Sequence, residues 1–324
     1  MSDFKRVAFV WGGFAEHKPV PVQVVPSLGI MGMAGVLGCD VLSWEDRPPD
    51  LSQYDVFLVV MFALGRRQVA DIRAARPDAL IVGLPDPPPE HVFYPDHIDR
   101  AGRLLDKLAL CDAIGARCLD GRDVALYTTM LDKPWVAMPG PLQTAAWFGA
   151  LSETIESEDL IVTCDHSWNP QRTAGNVAAV ARLQRETGWP VIYANATPHT
   201  QQMARAARMI DVTFYPKLPL ADFAALAARA RIGIDLYAAH SMGRNGIVFA
   251  AVGTPCITSR TTQSAGHPQV DPWRPDEAVR EALALIDDQG RALEVIIAGD
   301  RAIEAYSVRA TRERVRALLE RQGV

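Results

Sequence analysis

Lysine is scarce in this chain, with five among the 33 basic residues, and the basic residues are outnumbered by 38 acidic ones, for a formal net charge of -5 at pH 7. That balance excludes a global positive field that would recruit nucleic acid or an acidic membrane surface. Uninterrupted apolar runs are short as well, and none reaches the roughly 20 residues of a membrane span. The opening "MSDFKRVAFVWGG" carries only a brief apolar run that ends in glycines, which suits a first strand better than a secretory segment and gives a cytoplasmic expectation. Cysteine is sparse, odd in number and scattered, at Cys39, Cys111, Cys118, Cys164 and Cys256. With no Cys-x-x-Cys pair, reduced thiols are expected and a disulfide framework or zinc site is not. No Asp-x-Asp pair is present to hold a divalent ion. The seven tryptophans form no stripe at one spacing, and "PDPPPEH" is the one low-complexity tract.

What is present is patterned. At 324 residues, 49% apolar and 22% charged, the chain suffices for two hydrophobic cores. In the first half "RVAFVWG", "CDVLSWE", "YDVFLVVMF", "ALIVGLPD", "CDAIGAR" and "PWVAMPG" read as strands, with helical spacing in "RRQVADIRAARP" and "HIDRAGRLLDKLAL". After the polar stretch "ALSETIESED" the pattern restarts. The strands "LIVTCDH", "WPVIYANA", "DVTFYP", "RIGIDLYAA" and "TPCITS" alternate with the helices "NVAAVARLQRETG", "TQQMARAARM", "LADFAALAARAR" and "GIVFAAVG". Regular alternation predicts mostly parallel sheets covered on both faces. The expectation is an α/β protein of two Rossmann-like domains, residues 1–153 and 154–306, meeting near Leu151 to Asp159 across a central cleft. The arginine-rich "EAYSVRATRERVRALLERQGV" predicts an amphipathic tail helix over residues 307–324.

The stretch "IDLYAAHSMGRNGIVFAAVGTPCI", Ile234 to Ile257, carries the sharpest chemical signal. It reads as a strand through "IDLYAA", a loop, and a small-residue helix in "GIVFAAV". The loop stands at a strand's carboxyl end and opens a helix, where open α/β sheets bind ligands and helical amides favour an anion. Gly243 and Gly246 allow close backbone approach, Arg244 can pair with phosphate oxygens, and the amides of Asn245 and Gly246 lie along the helix axis. The plainer alternative is a glycine turn without a ligand. His240 and His166 fall at carboxyl ends of predicted strands, either as site residues or as structural histidines. Gly12 and Gly13 end the first strand and suit a ligand or a tight turn. Trp11 and Trp168 adjoin such loops, where an indole could stack on a sugar or base.

The order of features from His166 to Pro255 resembles the C-terminal half of GT-B glycosyltransferases, particularly the large retaining group called family four. "VTCDHSWNPQRTAGNVAAVARL" supplies His166 and Arg172 after a strand, and the segment from "FYPKLP", with Tyr215 and Lys217, to "AAVGTP" resembles the one that holds nucleotide and diphosphate. The family's marker pairs two glutamates eight positions apart, with Gly inside and Ala-x-Gly-x-Pro after. Here Gly243, Arg244, Ala251, Gly253 and Pro255 match, while His240 and Val248 stand at the glutamate positions. In the family the first glutamate lies by the donor sugar and the second holds the ribose. "FVWGGF" resembles the family's glycine-rich loop, and Asp86 in "ALIVGLPDPPPEH" matches by position a catalytic-site His or Asp, with His91 in reserve as base for an acceptor hydroxyl.

The resemblance implies a GT-B fold whose tail helix returns to the first domain, with Arg172, Lys217 and Arg244 lining the cleft around a diphosphate. It further implies retaining transfer of a sugar from a nucleotide-diphosphate donor to an acceptor hydroxyl, with neither metal nor cofactor. Two alternatives share the fold: a nucleotide-sugar epimerase, and a binding or accessory protein without catalysis. Turnover of a nucleotide sugar with no acceptor would mark the first, and absent nucleotide affinity the second.

Overall fold

The structure, a computed structural model, describes residues 4–10, 32–42, 50–61, 66–85, 98–142, 155–164, 174–216 and 218–321. The chain divides into two compact units, Met1–Gln143 with Tyr306–Val324, and Thr144–Ala305. Each is a parallel sheet with helices on both faces, so the chain is an α/β protein of two Rossmann-like units.

In the first unit the strands are β1 (Val7–Val10), β2 (Asp40–Leu42), β3 (Val56–Val60), β4 (Leu80–Leu84), β5 (Ala113–Ala116) and β6 (Trp135–Ala137), ordered β2-β1-β3-β4-β5-β6. Its helices are α1 (Gly32–Leu37), α2 (Arg66–Ala75), α3 (Ile98–Leu108), α4 (Ala125–Leu131) and, last in the chain, α11 (Val308–Arg321). The run "VFLVV" of β3 is buried throughout because both of its faces are covered. Its period of two divides the core. Phe57 and Val59 join Val69 and Ile72 of α2 and Leu104 and Leu108 of α3. Val56, Leu58 and Val60 join Met33 and Leu37 of α1 and Val315, Leu318 and Leu319 of α11. The arginines of α11 add to the seat: Arg312 donates to the Val36 carbonyl (3.0 Å), and the Arg316 guanidinium lies 5.8 Å from the Phe4 ring centroid.

In the second unit the strands are β7 (Glu158–Cys164), β8 (Val191–Ala194), β9 (Val212–Phe214), β10 (Ala230–Asp235), β11 (Cys256–Ser259) and β12 (Gln269–Val270), ordered β12-β11-β10-β7-β8-β9. The helices are α5 (Ala174–Thr187), α6 (Pro198–Ala206), α7 (Leu220–Arg229), α8 (Arg244–Ala251), α9 (Pro275–Asp287) and α10 (Gln289–Ile303). One face packs Ile161, Ile232 and Ile234 against Val180 and Leu183 of α5 and Val279 and Leu285 of α9. On the other, Phe249 of α8 lies over Gly233 of β10, where a Cβ would come 2.7 Å from the phenyl ring. Chain order runs β7, β8, β9 outward on one side and β10, β11, β12 on the other, so the topological switch point lies between the carboxyl ends of β7 and β10.

Two features correct the sequence reading. The strand predicted through "IDLYAA" ends at Asp235, because the amides of Leu236 and Tyr237 bond to the Asn176 and Ser259 side chains (each 2.6 Å) rather than to a neighbouring strand. Helix α8 starts at Arg244, two residues before "GIVFAAV", so Arg244, Asn245 and Gly246 form its first turn. Beyond the predicted elements stand α1, α4, β12, α9 and α10. All five cysteines are free thiols, and burial drives the Cys111 thiol up to about 12. Among the described residues, no helix is long and apolar enough to cross a membrane.

Candidate functional site at the carboxyl edge of the second sheet

The loop from Leu236 to Gly243 leaves the end of β10 beside the switch point and delivers the chain into α8. It folds against the segment after β11. The Ser241 amide donates to the Thr261 carbonyl (3.2 Å), Ser241 and Thr262 form a parallel bridge, and the Thr261 hydroxyl donates to the Tyr237 carbonyl. Gln269 in turn donates to the carbonyls of Ser259 (2.8 Å) and Thr262 (2.6 Å). Backbone and side-chain bonds of this kind hold an irregular loop in one conformation, as a binding loop requires.

Gly243 is the N-cap of α8, with φ 66° and ψ 54° in the left-handed region. A Cβ there would come 2.7 Å from Thr262 Cβ, so glycine is required both by conformation and by contact. Helix N-caps usually carry a side-chain oxygen that occupies the first amides. Gly243 has none, and the first helical rung, from the Ile247 amide to the Gly243 carbonyl (3.2 Å), lies beyond Arg244, Asn245 and Gly246. Those three amides and the dipole of α8 face the loop's end, where an anion is favoured. Arg244 is exposed at the first helical position, and Asn245 is half-buried, its carboxamide donating to Asp235 Oδ1 (3.1 Å) at the end of β10.

Behind this turn stands His267, which sequence reasoning missed. It is buried, and its Nε2 donates to the Gly246 carbonyl (2.9 Å). Burial depresses its imidazole to about 4, with Gly246 and the Asp235 carboxylate opposing the shift. A neutral ring that braces the first turn of α8 carries no periodic signal in sequence. Asn176, fully buried on α5, is the other omission: Nδ2 donates to the Cys164 carbonyl (3.2 Å) and Oδ1 accepts from the Leu236 amide (2.6 Å).

Of the residues singled out from sequence, His240, Gly243, Arg244, Asn245 and Gly246 share this loop and helix start, with His240 half-buried in the loop. Tyr215 follows β9 at the same sheet edge, half-buried, its backbone paired with Tyr193 (3.0 Å) and Ala196 (2.7 Å). Three strand spacings, roughly 14 Å, separate β9 from β10. Val248 is buried at 1% exposure within α8, and its side chain offers nothing to a ribose hydroxyl. Gly12, Gly13, Asp86, His91, His166, Arg172 and Lys217, with Trp11 and Trp168, lie outside the described residues. The edge thus combines features that suit a phosphate: a cation, a helix start whose N-cap residue is glycine, and a braced loop.

No family model matches the chain, and no curated protein does. Solved structures do. A structure described as trehalose-6-phosphate from E. coli bound with UDP-2-fluoro glucose is similar over 98% of both chains, with a TM-score of 0.68 at 9% identity. The UDP-forming alpha,alpha-trehalose-phosphate synthase of Burkholderia xenovorans, in complex with glucose-6-phosphate, is similar over 82% of this chain and 73% of that one (TM-score 0.62, 14% identity). The N-terminal domain of the Candida albicans trehalose-6-phosphate phosphatase matches over 83% of this chain and 70% of its own (TM-score 0.62, 12% identity). At such identities the likeness is one of fold. The narrower resemblance to family four rests on the sequence motifs alone.

Proposed function

We propose that this protein is a glycosyltransferase that moves a sugar from a nucleotide-diphosphate donor to an acceptor hydroxyl. The observation that carries the reading is the braced, glycine-capped start of α8 with Arg244 beside it, at the carboxyl edge of the second sheet next to its switch point. Breaking the glycosidic bond leaves charge on the diphosphate, and a cation with aligned amides favours that charge as it develops. Arg172, Lys217 and His166 would complete the cationic lining, Gly12 and Gly13 would let the backbone approach the donor, and Asp86, with His91 in reserve, would act as base toward the acceptor. His240 would lie beside the donor sugar. The names of the similar structures point to a UDP-linked hexose as donor and a hexose phosphate as acceptor. Retention at the transferred carbon and independence of metal are part of the proposal.

Val248 favours a second reading, a binding protein of the same fold, because the ribose contact of the resembled family has no counterpart there. The deciding experiment measures UDP release from UDP-glucose with glucose 6-phosphate as acceptor, with and without a chelator, beside calorimetry with UDP. Release that needs the acceptor and survives chelation supports metal-independent transfer. Conversion of the donor with no acceptor supports an epimerase. Absence of both UDP affinity and turnover supports the binding or accessory protein without catalysis.

A further inference from the structure

We infer that Asn176 is a positioning residue, whose carboxamide stands in for a peptide rung at the switch point and thereby fixes where the loop from Leu236 to Gly243 stands. The β7–β10 ladder has its last registered pair at Thr163 and Ile234. From there side chains take over. The Thr163 hydroxyl donates to the Ile234 carbonyl (2.7 Å), and one residue further the Asn176 carboxamide joins the Cys164 carbonyl to the Leu236 amide (3.2 and 2.6 Å). A carboxamide has the donor and acceptor of a peptide group, so it bonds both strand ends while holding them farther apart than a direct rung would. The opening it spans is where doubly wound sheets admit ligands.

A second asparagine, Asn195 in the loop after β8, holds the other side of β7 through the Cys164 side chain. Its backbone is left-handed at φ 53°, Nδ2 donates to Cys164 Sγ (3.1 Å), and Oδ1 accepts from the Leu218 amide (2.9 Å) in the segment after β9. The end of the central strand is therefore tied by two asparagines to the loops that follow its neighbours. A buried amide such as that of Leu236 is costly to leave unbonded, so losing the carboxamide lets the loop move rather than stay in place unsatisfied.

The functional consequence rests on the proposed diphosphate site, whereas the positioning does not, and the test separates them. Hydrogen exchange of the full chain is followed by mass spectrometry in wild type, Asn176→Ser, Asn176→Asp and Asn195→Ser, with calorimetry against UDP and against inorganic pyrophosphate. Asn176→Ser is expected to speed exchange from Leu236 to Gly243 while the amides of β11 keep their protection, and to weaken both ligands about tenfold. Asn176→Asp keeps the volume but sets an oxygen against the Cys164 carbonyl, and is expected to weaken binding at least as much. Asn195→Ser is expected to speed exchange around Leu218 instead. Wild-type exchange in both Asn176 variants, a rise spread evenly over the second unit, or an Asn176→Asp variant that binds as wild type does would overturn the inference. Should the wild type bind neither probe, the proposed function falls, and the exchange pattern by itself decides the inference.

Discussion

Arg244 and His267 belong to the same helix start, one exposed at its first position and one buried against the Gly246 carbonyl. Arg244→Glu is expected to keep the fold, since a carboxylate in the first turn suits the dipole of α8, and to remove about 2–5 kcal/mol of nucleotide binding by repelling phosphate. Calorimetry with UDP and the melting temperature of the same variant check both halves of that statement. His267 gives a pH dependence. Its imidazole sits at about 4 in the fold, below the usual value of about 6.5 that it regains on unfolding. Above the upper value both states are neutral there and this stability is whole. As pH falls through the window between the two values only the unfolded chain takes up the proton, so stability is lost, and the loss levels off below the folded value. Urea unfolding at neutral and mildly acidic pH is expected to show a smaller acid loss in His267→Gln than in wild type.

The element that matters most is α8, because its position relative to β10 decides where the first-turn amides stand. Phe249 seats it, lying over Gly233 and meeting the Phe223 ring of α7 edge-on, at 5.7 Å between centroids and 82° between planes. Gly233 gives up strand propensity to admit that ring. Phe249→Ala is expected to destabilise the protein by about 3–5 kcal/mol through the cavity it leaves, and to weaken UDP binding because the helix start is no longer held. Denaturant unfolding and calorimetry on one preparation test the coupling. An unchanged UDP affinity in the folded variant would show that the loop's own bonds suffice to hold the site.

For the whole molecule the connectivity of the two units is the consequential fact. The second is one continuous segment, whereas the first is completed by Tyr306–Val324. Val315, Leu318 and Leu319 of α11 bury themselves against the β1 and β3 face. Burying such side chains contributes about 1.5–3 kcal/mol each, which together approaches the total stability of an ordinary domain. A chain ending at Ala305 is therefore expected to lose the fold of the first unit and keep that of the second. Limited proteolysis followed by mass spectrometry should yield a resistant fragment within residues 144–305 and digest the remainder. Equal resistance of both halves would mean that α11 adds little to the first core.

The sequence by itself determined the alternation of buried strands and amphipathic helices, and with it two parallel sheets, since short apolar runs such as "VFLVV" between helical stretches suit strands covered on both faces. It also located the glycine-bearing start of α8 to within two residues, because Gly243, Arg244 and Gly246 fall within four consecutive positions and their chemistry is local. Only the tertiary structure decided where β10 stops and what holds the loop beyond it. Leu236 meets Asn176 across 60 positions of sequence and Tyr237 meets Ser259 across 22, through pairings that no periodicity encodes. The same holds for His267, which reaches Gly246 from 21 residues away. Hydrophobic spacing tells which face of an element is buried. Which polar group is brought to a strand end depends on strand order, and strand order exists only once the sheet has formed.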